Sequence, residues 1–262
     1  MNSTLKRKLD YHYKYFGKTR ISPDPLEILH RYSKSEEIEI IGFIASLFAY
    51  GNVSQIIFSL SEIEKIINHD PYNFILNFNK KSDGKYFSNL KHRFYTSEDI
   101  VTLFEILHQA YLNYSNLEEL FLLYYFDEEP NLKNSISCFS KNLLNLCIHC
   151  NKKAKVTPGL KFMLPDPLKG SACKRMNLFL RWMIRKDELD FGLWKEIPPS
   201  KLVIPVDTHV ARICRELKLT HRKNISWKMA EEITNKLKKF DPIDPVKYDF
   251  ALCHIGIRKL NF

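Results

Sequence analysis

The sequence predicts an all-α protein, and three observations carry that expectation. Apolar residues recur at three-to-four spacing along nearly the whole chain, the period of a helix with one buried face. The only run that reads as extended, Lys201 to Val206, is too short to seed a sheet. No internal repeat, heptad run or low-complexity tract competes with this pattern. Taken in order, Glu36 to Tyr50 reads as a largely buried helix, followed by Ser54 to Asn68 with Ile56, Ile57, Leu60, Ile63, Ile66 and Ile67 on one side. Ser97 to Tyr114 is amphipathic through Ile100, Leu103, Phe104, Leu107 and Tyr111. Leu117 to Tyr125 and Leu132 to Cys150 continue the pattern across the acidic break at 127–130. The segment 152–170, with three prolines and two glycines, reads as a loop. Helix resumes over Ala172 to Arg185, is interrupted over 187–205, and returns from Asp207 through Leu217, near Trp227 to Phe240, and over Pro245 to Gly256.

At 262 residues, 45% apolar and 27% charged, the chain is long enough to bury a core without staples. The longest apolar stretch, Ile40 to Tyr50, has 11 residues and contains Gly42 and Ser46, about half of what a bilayer of roughly 30 Å demands of a helix. The basic N-terminus leads into polar and aromatic residues, with no apolar secretory core, so a cytoplasmic location is expected. Six widely spread cysteines fit no secreted framework, and reduced thiols are expected. The formal charge of +10 attracts polyanions, which makes nucleic acid the first partner to test; a solvated lysine-rich surface is the plain alternative.

Several chemistries drop out. The eight glycines form no phosphate-binding loop, and neither a zinc-protease helix motif nor a serine nucleophile elbow is present. Cys147 and Cys150 have one metal-like spacing but lack a second pair; three apart on a helix, they read as core thiols, and no metal is expected.

The informative region runs from Pro165 to Leu219. Lys174 lies in the first turn of its helix, with Arg175 beside it and Arg181 and Arg185 on the same face. A lysine among cations and partly desolvated loses its preference for the ammonium form and becomes a nucleophile. The same stripe also suits phosphate binding, or plain hydration. Asp207 directly precedes a helix whose buried stripe is Val210, Ile213, Cys214 and Leu217, so its default role is N-cap, accepting from the amides of residues 209 or 210. Such a carboxylate is oriented and kept ionised by the helix terminus. Both properties also suit an acid that takes a proton from a nucleophile and faces a developing cation.

The run Val206, Asp207, Thr208, His209, followed by Val210, Ala211 and Arg212, resembles the catalytic aspartate signature of the helix-hairpin-helix DNA glycosylases, the superfamily of endonuclease III. Lys174, within Cys173, Lys174 and Arg175, matches that family's catalytic lysine, and Phe43 to Ile57 looks like its DNA-facing helix and turn. The resemblance extends from about residue 36 onward. The glycine-rich hairpin is replaced by Leu164 to Lys174, so phosphate contacts would come from around Gly170 and Ser171. The lysine and aspartate lie 33 positions apart, a spacing closer to the archaeal-type 8-oxoguanine branch, with Arg185 to Leu202 as the insert. The late four-cysteine motif is missing, and no iron–sulfur cluster is expected.

What the resemblance implies is a base-excision repair enzyme that needs no cofactor: a bifunctional glycosylase and abasic-site lyase, acting as a monomer on double-stranded DNA containing a damaged base, with 8-oxoguanine the implied lesion. The damaged purine would be turned out of the stack, Asp207 would activate Lys174 for attack at C1′, and the imine would permit β-elimination. Trp194 or Phe191 would stack on the base, Asn52 would fill the hole in the duplex, and His209, Arg175 and Arg181 would contact DNA. Trp194 and Phe191 read equally as core aromatics, and His209 as a residue that satisfies its own helix. DNA binding would carry a cytoplasmic protein to the nucleoid. Two helical lobes are expected, residues 36–199 with the hairpin-like segment and the lysine, and 1–35 with 200–262 bearing the aspartate, enclosing a cleft. Two other classes remain open: a helical DNA-binding protein without chemistry, and a basic scaffold for a protein partner.

Overall fold

A computed structural model describes residues 3–150 and 156–258, with side chains over 4–146 and 156–258. The described residues form helices joined by loops, with no strand among them, as the periodicity predicts. They group into two units. Residues 1–22, 127–132 and 167–262 form the first, and 23–126 with 133–166 the second. This division differs from the expected lobes. The chain changes unit at 166/167, ahead of the lysine helix, so Lys174 and Asp207 belong to the same unit. Cys147 and Cys150 lie outside the described side chains.

The first unit begins with α1 (Ser3–Tyr15), which packs on the C-terminal helix with Leu9 buried, as is Phe16 just after its end. The second unit holds α2 (Leu26–Leu29), α3 (Ser35–Phe48), α4 (Val53–Ile66), α5 (Pro71–Leu76), α6 (Lys80–Asp83), α7 (Ser97–Asn113), α8 (Leu117–Leu122), α9 (Lys133–Cys150) and α10 (Pro158–Met163). Helix α3 is buried on every face from Glu37 to Phe48, the reason its apolar run is nearly continuous rather than striped. Glu39 inside it accepts from the Tyr111 hydroxyl at 2.5 Å and from the Leu117 and Glu118 amides at 2.8 and 3.3 Å. A carboxylate at the N-terminus of α8 meets the positive end of that helix and so tolerates burial. Thr96 and Asp99 close a capping box at the start of α7.

Helix α10 corrects the loop expected over 152–170. Thr157 caps it by accepting from the Leu160 amide, and Pro158 takes the first helical position, where a missing amide hydrogen costs nothing.

The chain then returns to the first unit with α11 (Lys174–Ile184), α12 (Thr208–Glu216), α13 (Trp227–Leu237) and α14 (Asp249–Arg258). Helices α12 and α14 make this unit's most extensive pairing, and α1 packs on α14. Residues 202–206 run buried without joining a sheet; the Ile204 amide donates to the Thr234 hydroxyl at 3.0 Å instead of to a neighbouring strand.

Candidate active site

The segment Pro167 to Cys173 aims the lysine. A 3-10 turn at Pro167–Lys169 leads to Gly170, whose amide donates to the Pro167 carbonyl at 3.0 Å and whose φ of +89° is natural only to glycine. The Gly170 carbonyl accepts from the Trp227 amide at 3.1 Å, which anchors the turn to α13. Ser171 Oγ accepts from the Cys173 amide at 3.2 Å, and Asn177 Nδ2 donates to the Ala172 carbonyl at 3.0 Å. Cys173 itself is left-handed, at φ +46°, and Lys174 opens α11 directly after it.

Asp207 sits in extended conformation as the N-cap of α12, as its sequence context predicts. Its Oδ1 accepts from both the His209 and Val210 amides at 2.9 Å. That leaves Oδ2 for Lys174, whose Nζ lies 3.2 Å away, with the two side chains 27% and 21% exposed. The pair is therefore partly desolvated yet open to a reactant. Burial raises the affinity of Asp207 for a proton, but the Lys174 ammonium and the Val210 amide outweigh it and hold the carboxyl below its usual range.

The arginine stripe does not serve the expected purposes. Arg181 is 2% exposed; its guanidinium pairs with Asp190 at 3.1 Å and with Asp249 at 2.5 Å. Arg185, also buried, pairs with Asp187, Asp190 and Asp244. Four carboxylates from two loops and α14 neutralise this face, so Arg181 has no charge to offer a DNA phosphate. Arg175 is likewise buried, which removes it from any DNA surface. Trp194 is core: it is 1% exposed, meets the Phe179 ring edge-to-face at 5.3 Å, and donates its amide to the Met183 carbonyl. Phe191 is half-buried and bonded through its amide to the Trp182 carbonyl, so the insert folds back on the end of α11. His209 is exposed in the first turn of α12. Gly170 is exposed and Ser171 half-buried; both shape the turn. Asn52, in the second unit, is exposed and caps α4 through the Ser54 and Gln55 amides.

Two features escape the sequence reading. Asp249, 3% exposed, keeps Oδ1 without a hydrogen-bond partner while Oδ2 binds Arg181. Burial pushes this carboxyl up to about 6 against the pull of Arg181, and Asp207 adds to the rise. Only the fold brings a residue 42 positions beyond Asp207 into its field. In the second unit, beside Asn52, Phe94 (66% exposed) stacks on Tyr50 at 6.3 Å, and Phe162 meets both rings edge-on. The Arg93 guanidinium lies 5.5 Å from Tyr50 and 5.7 Å from Phe94. The run Lys91 to Tyr95, a basic stretch followed directly by two aromatics, is the sequence signal of this cluster.

Among the described residues no group of three or more histidine, cysteine or acidic side chains is placed to hold a metal, and no helix is long and apolar enough to cross a membrane. A family model described as a protein of unknown function, DUF2400, matches residues 24–258. No curated protein matches the chain, and no solved structure does.

Proposed function

The chain belongs to the DUF2400 family, and for it we propose a base-excision repair activity: a DNA glycosylase coupled to an abasic-site lyase, acting on an oxidised purine, with 8-oxoguanine the first lesion to test. The observation that carries this reading is the 3.2 Å approach of Lys174 Nζ to Asp207 Oδ2, with Oδ1 occupied by the helix cap. One amine and one ionised acid, each fixed to a helix start and each about a quarter exposed, form a nucleophile and base within reach of one another. The match of Val206 to Arg212 and of Lys174 to the glycosylase motifs gives the pair its assignment. The net charge of +10 and the exposed arginine and aromatic cluster around Phe94 support a nucleic-acid partner.

In this mechanism the lesion is turned out of the helix first, because the sugar carbon is shielded within the stack. The substrate displaces water from the ion pair, and the Lys174 ammonium passes a proton to Asp207 Oδ2. Its freed lone pair forms the bond to C1′ as the glycosidic bond breaks, and the electron pair leaves on the base nitrogen. Opening of the sugar gives an imine, which acidifies C2′; loss of that proton expels the 3′ phosphate. Asp207, protonated by this transfer, returns the proton to the ring oxygen as the sugar opens and is an ionised carboxylate again for the next cycle.

Borohydride trapping tests the reading. Incubated with duplexes carrying single defined lesions, the full chain should give a covalent adduct with one of them, and Lys174→Gln should give none. If the wild-type protein forms no adduct with any lesion or with an abasic site, the lyase assignment is wrong.

A further inference from the structure

We propose that the outward face of α1 is a second nucleic-acid surface, one that holds a single-stranded stretch by stacking an unpaired base on Tyr11 while lysine and arginine grip its phosphates. The proposal does not depend on the lyase chemistry, and α1 precedes the residues matched by the family model.

The face is defined by helical register. Arg7, Lys8, Tyr11, Lys14 and Tyr15, at spacings of one, three and four, are all exposed, as is Lys18 in the turn that follows the helix. Tyr11, 63% exposed, stacks on Tyr15 at 6.2 Å with 21° between the rings. The Arg20 guanidinium returns over Tyr15 at 3.8 Å and donates to its carbonyl at 2.8 Å. The Tyr15 ring thus has both a cation and a near-parallel ring beside it, and that second ring, Tyr11, is the more exposed of the two tyrosines. Base stacking on an aromatic ring beside an arginine is tolerant of sequence and needs no pairing partner.

Charge is segregated as a phosphate chain requires. The one acid of α1, Asp10, lies at the edge of this face and is engaged by Lys6 at 2.6 Å and the Tyr248 hydroxyl at 2.8 Å. Glu188 lies against Gly17, beyond the helix end. From Arg7 to Tyr15 the helix rises about 12 Å, room for a short run of nucleotides along it. An anionic membrane is the competing polyanion, but a helix that binds a bilayer must sink an apolar side into it. Here that side is spent: Leu9 and Phe16 are each 1% exposed, and Phe16 packs on His254 of α14 at 5.7 Å.

The experiment uses the full chain, a short dye-labelled single strand read by fluorescence anisotropy across a salt titration, and co-sedimentation with phosphatidylserine–phosphatidylcholine vesicles. The Tyr11→Ala/Tyr15→Ala variant should bind the strand about tenfold more weakly. Tyr11→Phe, which keeps the ring, should bind as the wild type does. Arg7→Glu with Lys14→Glu should flatten the dependence of log K on log salt by about 0.7 for each phosphate that is no longer neutralised. Strand affinity that is unchanged in both the ring-removed and the charge-reversed variants overturns the proposal, and so does vesicle binding that is lost on charge reversal while strand binding is kept. Absence of a borohydride adduct would defeat the lyase reading and leave these measurements intact.

Discussion

Asp207→Asn is expected to slow base release and strand cleavage by about 10²- to 10⁴-fold, the range lost when a positioned acid–base group is removed, while the protein stays folded. Asparagine caps a helix as well as aspartate does, so the bonds to the His209 and Val210 amides survive. What is lost is the oxygen facing Lys174, a partly exposed ion pair worth about 0–1 kcal/mol of stability. Because the folded carboxyl sits below its usual 3.8, it stabilises the native state above that value, and the contribution disappears as the pH falls through its folded pKa. The substitution should flatten that acid limb. Lesion-duplex kinetics under single turnover, with thermal melts at two pH values, separate the two effects. Kinetics equal to wild type would leave Asp207 as a cap and nothing more.

The largest effect on stability is expected from Asp190→Asn. The Asp190 side chain is wholly buried between Arg181 and Arg185, and it is the one acid that both arginines share. Burial alone would discharge Arg185, but Asp190, Asp244 and Asp187 reverse this and hold it above the usual arginine range. Removal of one carboxylate leaves buried positive charge short of its counter-ion, a loss of about 3–5 kcal/mol. Urea denaturation should show the midpoint falling at constant slope. A loss below about 1 kcal/mol would mean that Asp187, Asp244 and Asp249 compensate fully.

What was legible in the sequence is what local rules determine. Asp207 announces a cap because the buried stripe of its helix starts three residues later, and α7 shows both its capping residues and its apolar period. The proximity of Lys174 and Asp207 could be expected only through the motif resemblance, since nothing local links positions 33 apart. The pairing of Arg181 and Arg185 is hidden from the sequence for a related reason. Their spacing is local, but the acids that bury them come from 187, 190, 244 and 249, and no pattern on the helix itself reveals that. Thr157 and Pro158 spell the start of helix α10, but Pro165 and Pro167 just after it give the whole stretch the composition of a loop. Trp194 is core because the insert packs back onto α11, a tertiary fact.

Gly256 of α14 lies so close to the first turn of α12 that a methyl group there would meet His209 Cβ at 2.9 Å and the His209 carbonyl oxygen at 3.2 Å. Arg212 of α12 also donates to the Gly256 carbonyl at 3.0 Å. The absent side chain therefore works as a spacer of zero thickness, setting how far the acid's helix stands from its neighbour. An alanine there would preserve every reactive group and still wedge the two helix backbones apart. A change at this position would therefore act through misfit between two helices rather than through any polar or charged group.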